Sequence, residues 1–149
     1  MRVEAETVLP ATPAVSWRAL TDWERQADWM LDADRVEVVS AAREGVGVRL
    51  AVRTRVFGVA AFTELMEVTV WDPPRRLAIR HGSLVTGTGV WDLVQLEGGT
   101  AFRWSEDVRL RAPVVGEVAA RLYRPVMSAL MGRAQRSLRR YIIAIGPER

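Results

Sequence analysis

The chain of 149 residues contains no cysteine, no lysine and no asparagine, and His81 is its single histidine. Each absence removes a class of chemistry. Without cysteine there is no disulfide framework, no thiolate nucleophile and no thiolate metal site. Without lysine there is no Schiff base, and one histidine excludes a His–His metal pair; any Ser-His-Asp arrangement has to use His81. No stretch approaches the ~18 uncharged apolar residues of a membrane span. The opening run Met1-Arg2-Val3-Glu4-Ala5-Glu6 is charged from the start and lacks the apolar core of a signal peptide. The expectation is a cytoplasmic protein with no stable membrane insertion, no metal and no cofactor.

What is present is ordinary in bulk and uneven in detail. Hydrophobic residues make up 49% of the chain and charged residues 26%, as in an average globular domain. At this length one domain spanning 1–149 buries roughly two-thirds of the unfolded chain's surface. Net charge is only +3 although the sequence pI is about 10.4, because all basic residues are arginine and its very high pKa inflates the value. The arginines alternate with apolar and acidic residues and form no block, which argues against nucleic acid as a partner.

The hydrophobic period divides the chain into elements. Val3 to Leu9 alternates as a strand. Thr12-Pro13 then reads as a helix start, a capping threonine before a proline at the first helical position, and Asp22 begins a second short helix to Met30. From there the period becomes two, predicting strands at Arg35–Ala41, Val46–Phe57, Ala60–Trp71, Arg76–His81, Thr86–Leu96 and Ala101–Leu110. The separators between them carry glycine or proline turn chemistry and are short, which favours antiparallel neighbours. Beyond Pro113 the period returns to 3.6. A helix of roughly 30 residues should start between Val114 and Val118. Val118, Leu122, Val126, Leu130, Ala134, Leu138 and Ile142 form its apolar stripe at i+4 steps, and Pro125 should bend it or displace its first turns. The pattern predicts an α+β fold in which a seven-stranded curved antiparallel sheet wraps the long C-terminal helix, two short helices close the gap, and an apolar cavity remains between sheet and helix.

Four segments carry a family resemblance. They are Ala11-Thr12-Pro13-Ala14-Val15-Ser16-Trp17-Arg18-Ala19-Leu20-Thr21-Asp22 with Trp29 beyond it, Trp71-Asp72-Pro73-Pro74-Arg75-Arg76-Leu77, Gly98-Gly99-Thr100-Ala101-Phe102-Arg103-Trp104, and Leu122-Tyr123-Arg124-Pro125-Val126-Met127. In this order and spacing the chain resembles the START-like helix-grip superfamily, also called SRPBCC, and within it the bacterial polyketide cyclase/dehydrase and lipid-transport group. The resemblance implies the helix-grip fold and a hydrophobic cavity. It does not fix a reaction, since members range from carriers and receptors to aromatase/cyclases.

Few residues are equipped for chemistry in such a cavity. Phe102, Trp104, Glu106, Val108 and Leu110 share one face of the last strand, so Glu106 should point inward. A carboxyl group in such surroundings suits a general acid or base, or pairs with an arginine of the C-terminal helix. His81 is in phase with Leu77 and Ile79 at a strand end and is the second candidate for proton transfer. Glu64 is in phase with Phe62, Met66 and Val68, but the other phase, Ala61, Thr63 and Leu65, is also apolar enough as a set that the pattern leaves its direction open. Of six tryptophans, Trp17 is assigned to the core and Trp23 to a partly exposed position. Trp29, Trp91 and Trp104, with Phe62, Tyr123, Met127 and Met131, are the expected ligand-binding walls, the methionines adding deformable surface.

Three readings follow. The first is a carrier or binder of a small hydrophobic molecule such as a lipid, polyketide or aromatic metabolite. The second is an aromatase/cyclase or dehydratase in which Glu106, His81 or Tyr123 moves protons. The third is an interaction module acting through a sheet edge or the arginine-studded helix. The chain is expected to be a monomer or homodimer.

Overall fold

The computed structural model describes residues 1–56, 58–111 and 115–146. Strand β1 (Arg2–Leu9) leads into helix α1 (Pro13–Thr21) and a short 3-10 turn (Trp23–Asp28). Six strands follow: β2 (Ala33–Val38), β3 (Arg49–Val56), β4 (Val59–Asp72), β5 (Arg76–Gly82), β6 (Val85–Leu96) and β7 (Gly99–Leu110). Helix α2 (Val115–Ile145) ends the described fold. The strands form one sheet in the order β1-β7-β6-β5-β4-β3-β2, each neighbouring pair antiparallel. Among the described residues no helix is long and apolar enough to cross a membrane.

Local chemistry explains the boundaries. The Thr12 hydroxyl accepts from the Val15 amide at 3.3 Å and Pro13 stands just inside α1, which satisfies one of the orphan donors at a helix start. The segment expected as a second helix from Asp22 to Met30 is the tighter 3-10 turn, six residues long, a form suited to short connectors. Strand β3 begins at Arg49 rather than Val46 because the preceding turn runs on to Val48. Phe57, expected to end that strand, lies outside the described residues, as do Pro113 and Val114 before the last helix.

Helix α2 rests mainly on β1 and β7. The buried Gln135 donates from its amide to the Ala5 carbonyl at 3.0 Å, and Arg124 Nε donates to the Arg2 carbonyl at 3.2 Å. The face it buries differs from the expected stripe. Met131, Ala134, Leu138 and Ile142 are buried, whereas Val118 and Leu122 are 60% and 74% exposed. A strict i+4 series cannot stay on one face: at 3.6 residues per turn each step overshoots by about 40°. Counting back from Leu138, the series has rotated to the opposite side by Leu122. Ala120, Tyr123 and Met127 take the inward position in the first half of the helix and line the cavity. Pro125 sits inside the helix, which continues past it to Ile145.

The candidate ligand cavity and its buried charge cluster

A cavity of about 340 Å³ lies between the inner face of the sheet and the first half of α2. Its walls are mostly apolar, with Leu50, Val52, Met66 and Ile79 from the sheet and Trp91 and Trp104 beside them. The two indoles meet edge to face, ring centroids 6.4 Å apart at 89°, a favoured aromatic arrangement.

One charged cluster interrupts this surface. His81 on β5 sits between two carboxyl groups: its Nδ1 is 2.5 Å from Glu64 Oε1 and its Nε2 is 2.8 Å from Glu106 Oε2. Trp104 Nε1 donates to the other oxygen of Glu106 at 2.9 Å. All three charged residues are buried, at 6–7% exposure. Strand register accounts for the meeting. Glu64 is on β4, next to β5, but Glu106 is on β7, with β6 between. On β6 the residues facing His81 and Glu106 are Gly87 and Gly89. With no side chain at either position, the imidazole reaches Glu106 across that strand. A Cβ on Gly89 would lie 2.7 Å from Glu106 Oε1, and one on Gly87, whose φ is +127°, would lie 2.1 Å from the Asp107 carbonyl oxygen.

The cluster fixes protonation. Burial disfavours a charged imidazole, but the hydrogen bonds to Glu106 and Glu64 and the attraction of both carboxyl groups outweigh it, and the His81 pKa is raised to about 10. At neutral pH the ring is therefore charged and donates from both nitrogens. Asp32, between the 3-10 turn and β2, lines the same cavity. Burial raises its pKa to about 6; its own backbone amide works the other way, while Glu64 and Glu106 add repulsion. Burial, with the charge of Asp32, also raises the pKa of the half-buried Tyr123.

The residues singled out from sequence divide accordingly. Glu106 and His81 are on the cavity wall and bonded to each other, and Phe62, Trp91, Trp104, Tyr123 and Met127 line the same space. Trp29 and Met131 are not on that wall. Trp29 is fully buried behind Trp91, ring centroids 6.2 Å apart, and Met131 packs in the hydrophobic core. Trp23, assigned a partly exposed position, is 2% exposed, lines the cavity and donates from Nε1 to the Arg43 carbonyl at 2.8 Å. Glu64 points inward, the direction shared with Phe62 and Met66. Asp32 escapes a reading of the sequence because it stands in an aperiodic connection. Glu106 pairs with His81 rather than with an arginine of the last helix. Among the described residues no group of three His, Cys, Asp or Glu side chains is arranged to hold a metal ion.

An antiparallel sheet gripping a long C-terminal helix over a cavity defines the helix-grip class of ligand-binding folds. The chain belongs to the polyketide cyclase / dehydrase and lipid transport family, whose model matches residues 1–142. No curated protein matches in sequence. Among solved structures, a protein of Thermus thermophilus superposes with a TM-score of 0.82 at 22% identity, covering 98% of this chain and 99% of that one. A START superfamily protein from Mycobacterium smegmatis gives a TM-score of 0.69 at 15% identity, covering 97% and 99%. The di-domain ARO/CYC StfQ from the steffimycin biosynthetic pathway gives 0.73 at 14% identity; 93% of this chain matches 49% of that one, so the present chain corresponds to about half of it.

Proposed function

We propose that the protein binds a small hydrophobic molecule (a lipid, polyketide or aromatic metabolite) in the cavity under α2. The apolar body lies against Phe62, Trp91, Trp104, Tyr123 and Met127, and the polar end meets the Glu64–His81–Glu106 cluster. The observation that carries this reading is an apolar cavity of about 340 Å³ with one buried charged cluster on its wall. Apolar pockets with a few convergent polar groups are the usual form of small-molecule sites. The protein acts in the cytoplasm, as a monomer or homodimer and without nucleic acid. Native mass spectrometry and solvent extraction of the purified protein test the reading. A co-purifying apolar compound, or saturable binding of a neutral hydrophobic dye, is expected; an empty protein that binds no such dye contradicts it.

A second reading is favoured by the charged histidine inside the cavity: an aromatase/cyclase or dehydratase acting on a polyketide-like substrate. StfQ, and BexL from the BE-7585A biosynthetic pathway, are ARO/CYC proteins of the same fold. In this reading the protonated His81 gives up one of its two carboxylate bonds and serves as the acid toward a departing hydroxyl, which leaves as water, while the carboxyl it releases takes the proton from the adjacent carbon. Glu106→Gln and His81→Ala should each depress turnover of a polyketide-like substrate. Unchanged product profiles in both defeat this assignment.

A further inference from the structure

The hydrogen-bond inventory around the cluster is one-sided. Most donors there are already engaged: both ring nitrogens of His81 on Glu64 and Glu106, Trp104 Nε1 on Glu106, and one N–H of the Gln26 amide on the Leu20 carbonyl at 2.9 Å. Acceptors remain. Glu64 Oε2 has no protein partner among the described residues, because its one bond to His81 uses Oε1. The Asp32 carboxyl stands on the same wall. The hydroxyls of Thr54 and Tyr123, also on the wall, can either donate or accept. The remaining cations on the wall are elsewhere engaged or open to water: the Met1 ammonium is bonded to the Val108 carbonyl at 2.9 Å, and Arg109 is exposed.

A ligand that covers these acceptors without pairing them loses their solvation, and an anion brought beside carboxyl groups is repelled. We propose that the cavity selects an apolar ligand whose polar end donates hydrogen bonds and carries no negative charge, a hydroxyl or a protonated amine, received by Glu64 Oε2 and Asp32, and that it discriminates against carboxylates. This rests on the ligand-binding reading above and names the head group it takes.

Displacement of the neutral dye N-phenyl-1-naphthylamine at pH 7.5 by decanol, decylamine and decanoate, matched in chain length, tests it. Decanoate should compete at least about tenfold more weakly than the other two, the scale of discrimination that like-charge juxtaposition supplies. Glu64→Gln and Asp32→Asn should each narrow that ratio. The Asp32 variant breaks no bond to His81, so it reads the head-group effect even if the Glu64 variant unfolds. A general loss of packing would weaken all three competitors alike and leave the ratio where it was. Decanoate binding as tightly as decanol, or a ratio unmoved by Asp32→Asn, overturns the inference while leaving the cavity reading standing. Failure of the dye and all three probes to bind overturns both.

Discussion

Gly89 stands directly across the β6–β7 ladder from Glu106, and the carboxyl group of Glu106 fills the space that a side chain at position 89 would need. The missing side chain thus lets a glutamate on β7 reach a histidine two strands away. Gly89→Ala places a methyl group 2.7 Å from Glu106 Oε1 and should cost about 1–3 kcal/mol, as overpacked sites do. Gly87→Ala meets the Asp107 backbone instead, with a positive φ as well, so its midpoint in urea unfolding should fall further than that of Gly89→Ala. Equal stability of both variants with the parent chain would contradict the described approach.

Stability should depend on pH through the same cluster. Unfolded, His81 loses its proton near pH 6.5; folded, it keeps it to about 10. Between those values the folded state binds more protons, so stability falls as pH rises. The contribution is whole below about 6.5 and gone above about 10. Asp32, raised from 3.8 to about 6, acts in the same sense in its own window, stability falling from about pH 3.8 to 6 and unaffected by this group beyond. The stability gap between the parent chain and His81→Phe should therefore be larger at about pH 6.5 than at about 9.5 in urea unfolding. An NMR titration should show the His81 ring protons unmoved below about pH 8; a midpoint near 6.5 would refute the paired geometry.

The two faces of α2 give a third contrast. Leu138 is fully buried and Leu122 is 74% exposed. Leu138→Ala should cost about 2–5 kcal/mol, transfer and cavity terms together, while Leu122→Ala should stay within about 0.5 kcal/mol of the parent. Thermal unfolding distinguishes the two directly. Comparable losses at both positions would return the helix to the i+4 stripe.

Much of this architecture is legible in the sequence because it rests on local rules. Thr12-Pro13 marks a helix start, the period of two marks the strands, and alternation along Phe102, Trp104 and Glu106 puts the glutamate inward. The i+4 stripe misplaces the first half of the last helix because residues picked at that spacing drift around a 3.6-residue turn. Glu64 is ambiguous since both phases of its strand are apolar; only its neighbours in the folded sheet decide the direction. The Glu64–His81–Glu106 cluster joins residues 17 and 25 positions apart, and no local pattern encodes such a meeting. The glycines at 87 and 89 are its nearest trace, and nothing in the sequence marks them as the passage between two side chains. Asp32 carries no periodic signal at all.

Entry of an apolar ligand into the space under α2 can be read from the six tryptophan indole signals in a ¹H–¹⁵N NMR titration with N-phenyl-1-naphthylamine. Trp23, Trp91 and Trp104 line the cavity, whereas Trp17 and Trp71 pair with each other away from it, ring centroids 5.1 Å apart. Saturable shifts should be largest for Trp91 and Trp104 and smallest for Trp17 and Trp71. No shift at saturating dye, or movement of Trp17 and Trp71 while Trp91 and Trp104 stay fixed, would mean that the dye does not enter that space.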